Sequence, residues 1–167
     1  VRNTGAAISV SGSDALATLV NDTIVTNDNG VIAASCGSID ARNTILAYHQ
    51  DTALAIETCA DTSLHTFNAF WQNGHDLAID GTPVDQPGPG EIFANPRFTD
   101  PNHHDYRPQS DSPVVDAGDP SDPAPPGSGD RVDVGYAQSA EAAVYASQDY
   151  CEQCLNDGLE WQVTAFD

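Results

Sequence analysis

CGSIDARNTILAYHQDTALAIETC, residues 36–59, begins and ends on cysteine and holds what reads as one full repeat of the chain. Its centre, NTILAY (43–48), aligns with DTIVTN (22–27) before it and NAFWQN (68–73) after it, at offsets of 21 and 25 residues. The stretches that follow align as well: GVIAA (30–34), TALAIE (52–57) and HDLAID (75–80), with GAAISV (5–10) one period earlier. Apolar residues fall into three columns: Ile8, Ile32, Leu54 and Leu77; Val10, Ala34, Ile56 and Ile79; and Ile24, Ile45 and Phe70. Members of the first two columns stand two residues apart, which is strand spacing and puts both side chains on one face. Short strands repeating every 20–25 residues or so, with no helical period, predict a β-solenoid whose coils pair as parallel strands about 4.8 Å apart.

Stacking of this kind makes neighbours of residues one period apart. Their separation falls within the roughly 4.4–6.8 Å between Cα atoms that a disulfide needs. Cys36 and Cys59 lie 23 residues apart at the same corner. The spacing predicts a bond clamping adjacent coils, the alternative being two free thiols that merely stack; an extracellular setting agrees with the bond. Asp22, Asn43 and Asn68 share another corner, where Asx side chains satisfy backbone groups at a bend.

The 167 residues suffice for one domain with a core. They include 25 acidic residues against 5 basic ones, all arginine, for a net charge of -20, with no lysine or methionine. Such a field repels nucleic acid and anionic membrane surfaces. It suits a salty or divalent-rich medium or a cation-binding protein; the simpler reading is a surface that keeps a secreted protein soluble. No apolar run approaches the roughly 20 residues of a membrane span. Val1 is not a natural start, so the chain reads as a mature product or a piece of a longer one.

Three zones follow one another: coils over 1–81, a Pro/Gly/Asp-rich closing region over 82–135, and a C-terminal strand and tail, a possible linker or assembly segment, over 136–167. The closing region contains Asn95-Pro96-Arg97-Phe98, Asp100-Pro101, Asp105-Tyr106-Arg107, Ser112-Pro113-Val114-Val115-Asp116-Ala117-Gly118 and Asp133-Val134-Gly135. In order and spacing this resembles the end of right-handed parallel β-helix (pectin-lyase-like) domains in bacterial surface proteins of the choice-of-anchor type. Asn95, where aspartate is usual, and His103-His104 depart from the pattern. The tail DYCEQCLNDGLEWQVTAFD is similar to the opening of another such domain. The resemblance implies a segment of a tandem array, or a subunit that joins to its own copies. Cys151 and Cys154 form a C-x-x-C, for which a local disulfide is favoured over a redox motif or a zinc site.

Candidate chemistry is sparse. Asp40 and His65, one period apart and expected to project outward with Arg42 nearby, make the best ligand patch, and Trp71 is a candidate sugar platform, though packing under the loop at 82–98 suits it better. No carboxylate column repeats over three coils, and a fold shared with polysaccharide-cleaving enzymes is weak ground for activity. His103 and His104 with Asp105 could hold a transition metal, exposure being the favoured reading. Asp116, Asp119, Asp122, Asp130 and Asp133, on a constrained loop, suit Ca²⁺, the alternative being an acidic loop that caps its own backbone.

The expected fold is all-β: a short right-handed parallel β-helix of about four coils, closed below by the Pro-rich loop and strands around 131–146. The upper end has no amphipathic cap, and an uncapped solenoid must join something. Leu159, Trp161, Val163 and Phe166 roughly alternate and could supply an added strand. The expected role is an extracellular or cell-surface structural module, associating head to tail into a filament or surface array or joined to neighbouring domains. The competing role is a β-helix that binds or cleaves polysaccharide. No catalytic residue is assigned.

Overall fold

The computed structural model describes residues 3–57, 59, 64–85, 87–125 and 129–136. It is an all-β solenoid of about three turns. The strands are β1 (Asn3–Ser11), β2 (Leu16–Val20), β3 (Thr23–Val25), β4 (Asn27–Ala34), β5 (Ser38–Arg42), β6 (Ile45–Ala47), β7 (Thr52–Ile56), β8 (Leu64–Thr66), β9 (Ala69–Trp71), β10 (His75–Ile79), β11 (Thr82–Val84), β12 (Phe98–Asp100) and β13 (Asp105–Pro108). Three sheets form the walls, in the orders β1-β4-β7-β10-β11, β2-β5-β8 and β3-β6-β9; all coil-to-coil pairs are parallel, and β11 folds back antiparallel on β10.

The period is confirmed and the register is corrected by one residue in the second coil. Ile8 pairs with Val31, Val31 with Leu54 and Leu54 with Leu77, each step being 23 residues. Val31 therefore takes the place expected for Ile32, and Ala33, opposite Val10, that expected for Ala34. Ile24 pairs with Leu46 and Leu46 with Phe70, so Leu46 replaces Ile45 in the third column. The interior core is Leu19, Val31, Ala33, Ile39, Ala41, Leu46, Ala53, Leu54, Ile56, Phe70 and Leu77.

Ile45 is fully buried too, but on the outer side of its sheet. There it packs with Ala47, Ala69, Phe98, Val114 and Val134, flanked by Tyr48, Trp71, Ile92 and Tyr106. Beyond residue 93 the closing region is thus a side wall rather than a floor. Residues 82–85 and 87–93 do turn beneath the third coil, where Ile92 bridges to Ala69 and Phe93 stacks on Phe70 at 5.5 Å. From there the chain climbs the outside of β9, β6 and β3. Gly135 N–H donates to Asn43 C=O at 2.7 Å and Tyr136 N–H to the Thr23 hydroxyl at 3.0 Å, which places 131–136 beside the first and second coils, not below. The cause is the apolar outer face of β6, which needs cover. The remainder of the expected strands, 137–146, lies outside the described residues.

Two bends per coil are built alike. Asn21, Asn43 and Phe67 precede the third sheet with φ between 52 and 56°, and Thr26, Tyr48 and Gln72 follow it with φ between 51 and 61°. Each bend thus places one residue per coil in the left-handed region, at a cost that coil stacking must offset. Beside each bend runs a ladder of side chains. Asn68 accepts from Thr44 N–H at 3.0 Å and donates to Ala41 C=O at 2.9 Å. Thr44 in turn accepts from Asp22 N–H at 3.4 Å, so this ladder is Asp22, Thr44 and Asn68 rather than Asp22, Asn43 and Asn68. Asn43 sits one residue earlier, at the bend itself, and holds the side wall: its Oδ1 accepts from Asp119 N–H and its Nδ2 donates to Asp122. At the second bend Asn73 accepts from His49 N–H and donates to Leu46 C=O, both at 3.0 Å. His49 repeats that bridge one coil higher, accepting from Asn27 N–H at Nδ1 and donating from Nε2 to Ile24 C=O.

Candidate functional site: the open first coil

The two ends of the stack differ. At the upper end β1, β2 and β3 are edge strands, with no described strand beyond them. In β1 and β3 the core-facing residues are less covered than those of the next coil, Ile8, Val10 and Ile24 being half-buried where Val31 and Leu46 are 0% exposed, while Leu19 of β2 is buried. A nine-residue edge strand over an incompletely covered interior is a template for an added strand.

The lower end is terminated. β11 is short, and Pro83 at its centre lacks the N–H that would bond to another strand. Between β11 and the returning chain lies a cavity of about 280 Å³ floored by Phe70, Leu77, Val84 and Phe93, with Asp76, Asp85 and Glu91 around it. Glu91 is engaged there, accepting from Gly88 N–H at 2.6 Å and paired with His65 Nδ1 at 2.8 Å.

The residues proposed as a ligand face do not meet. Asp40 pairs with Leu64, and His65 pairs with the buried Ala41, so His65 lies on the inward side of its strand and Asp40 on the outward side. The expectation slipped by one residue, which reverses a strand's faces. Arg42, outward two residues after Asp40, is tied to Asp122 at 3.0 Å. Trp71 is half-buried in the outer cluster beside Phe98 and Tyr48.

The closing-loop aspartates do not converge either. Asp119 accepts from the Ser121 N–H and hydroxyl, which lower its pKa. Asp122 binds Arg42 and Asn43, buried Asp133 accepts from Asp116 N–H at 2.8 Å, and Asp130 is exposed. Asp116 accepts from Arg131 N–H at 3.5 Å, and Arg131 itself donates to the Ala117 and Gly118 carbonyls. Most of these carboxylates cap backbone or pair with side chains. His103 pairs with Asp100 at 2.7 Å, and Asp105, with its pKa lowered to about 2 by the Arg107 guanidinium, pairs with that arginine. Among the described residues, the only group of three or more His, Cys, Asp or Glu with ligand atoms within 4.8 Å of one another is Cys36, Glu57 and Cys59.

Cys36 and Cys59 are disulfide-bonded with Cα atoms 5.2 Å apart, as their spacing predicts. Cys151, Cys154 and the assembly residues Leu159, Trp161, Val163 and Phe166 lie outside the described residues. Among the described residues no helix is long and apolar enough to cross a membrane. No family model, curated protein or solved structure compared with the chain matches it. The pectin-lyase-like resemblance therefore stands on the quoted motifs alone. The residues missed by sequence reading are the His49 bridge and Pro83, the first hidden because a lone histidine does not look like an asparagine ladder.

Proposed function

We propose that the chain is an extracellular structural solenoid module that assembles head to tail through its first coil. The observation that supports this is the asymmetry of the ends among the described residues, one an edge over a partly exposed interior and the other closed by β11 and Pro83. Direct stacking of the lower end on a neighbour's upper end is disfavoured, because Pro83 blocks the edge and the cavity rim is acidic. The incoming segment is instead residues 159–166 of a neighbouring copy, in which Leu159, Trp161 and Val163 alternate with polar residues and Phe166 follows one residue out of that period. Donation of a segment to the next copy is a heterologous contact, which grows linearly unless it closes into a ring. The acidic composition, the coil-clamping disulfide and the resemblance to surface-protein closing motifs support the extracellular setting.

The test is light scattering and electron microscopy of the full chain and of a chain ending at residue 158, both in about 0.5 M salt to screen charge. Expected are fibres or multi-subunit particles for the first and single chains for the second. A full chain that stays at 17.6 kDa at high concentration overturns the proposal.

A further inference from the structure

The corner that carries the disulfide holds a third donor. Glu57 Oε2 accepts from Cys36 N–H at 3.0 Å and lies 3.6 Å from Cys59 Sγ, and all three ligand atoms fall within 4.8 Å of one another. We infer that this corner is a masked metal site: once the disulfide is reduced, Cys36, Cys59 and Glu57 bind one thiophilic divalent cation of the zinc or cadmium type, leaving a fourth position open.

The geometry suits that donor set. Zinc–thiolate bonds of about 2.3 Å in a tetrahedron put the two sulfurs about 3.7 Å apart, with a carboxylate oxygen at a similar distance from each. The Glu57–Cys59 separation already has that value, and side-chain rotation at Cys36 and Cys59 supplies the sulfur–sulfur distance with no movement of the backbone. Backbone placement comes from the coil pairing rather than from the disulfide: β4 and β7 are held in register by Val31–Leu54 and Ile32–Ala55. The Cys36 N–H bond orients the carboxylate as outer partners orient metal ligands generally. Cys59 is exposed, so reductant and cation have access. Reduction by two equivalents of a thiol transfers two electrons and two protons to the sulfurs and leaves the reductant as its disulfide. Cation binding then releases two protons to solvent. The corner would thus clamp the second coil to the third in either redox state. This inference does not depend on how the molecule assembles.

The test uses the full chain carrying Cys151→Ser and Cys154→Ser, reduced with a phosphine and titrated with Cd²⁺ while thiolate-to-metal charge-transfer absorption is followed. Expected are one equivalent per chain, no band before reduction, no band with Cys36→Ser or Cys59→Ser, and at least a tenfold weaker affinity with Glu57→Gln. The β-type circular dichroism of the reduced protein should persist. Absence of the band, one cadmium per two chains, unchanged affinity in Glu57→Gln, or loss of the β spectrum on reduction would each overturn the inference.

Discussion

Asn68 shows how much one side chain carries at a solenoid bend. Fully buried, it joins the second coil's Thr44 N–H and Ala41 C=O to its own coil. Asn68→Ala strands both backbone groups, for an expected loss of about 2–4 kcal/mol. The check is a urea midpoint shift at unchanged m-value. His49 does the same work with an imidazole, and only as the neutral tautomer protonated at Nε2. Burial lowers its pKa, against opposing contributions from the Ile24 and Asn27 hydrogen bonds. The unfolded chain therefore takes up this proton more readily than the folded one. The stability it contributes is complete above the ordinary value near 6.5 and is lost as pH falls through the lowered folded value. Urea midpoints at about pH 7.5 and 5.5 should differ less in His49→Asn, whose amide fits the bridge as Asn73 does. Equal differences in the variant and the parent would acquit His49. Bend residues are legible as a type but not by position: the repeat puts Asn43 and Asn68 in one ladder, whereas in the structure Asn43 stands a residue earlier and serves the side wall.

At the scale of strands, spacing between coils is the governing dimension. Gly30 in β4 lies so close to the coil below that an added Cβ would come within 2.2 Å of Ala53 C=O and 3.0 Å of His49 Nε2. Gly30→Ala should cost about 1–3 kcal/mol through backbone displacement, seen as a lowered melting temperature with β content retained. The sequence disclosed the repeat and the cysteine clamp because both depend only on period. It misplaced the second coil's columns by one residue because Val31-Ile32 and Ile45-Leu46 are adjacent apolar pairs. Alternation identifies the inner face only where the outer face is polar, and the outer side of β6 is covered by Phe98, Val114 and Val134.

For the molecule as a whole, charge is the unusual quantity. A net charge of -20 on 167 residues, with the described arginines Arg42, Arg97, Arg107 and Arg131 already paired with acids or carbonyls, leaves most carboxylates to repel one another. Salt at about 1 M shortens the screening length to about 3 Å, so the melting temperature should rise by several degrees over its value at low salt. A flat or falling melting temperature in scanning calorimetry would mean that the acidic surface is not a source of strain. The lower closure was only half visible in the sequence, since the Pro-rich region divides between a floor and a wall, and that division follows from the lateral surface it has to cover.

That wall has a mechanical consequence. The described chain enters on the first coil and, having climbed the outer side, leaves beside Thr23 on that same coil. Tension applied between those two points would load the topmost layer and its contact with residues 132–136, while the two coils beneath hang slack. A pulling experiment should therefore register an early, local rupture as the wall is stripped away, with the remaining stack and its sulfur clamp bearing force only afterwards.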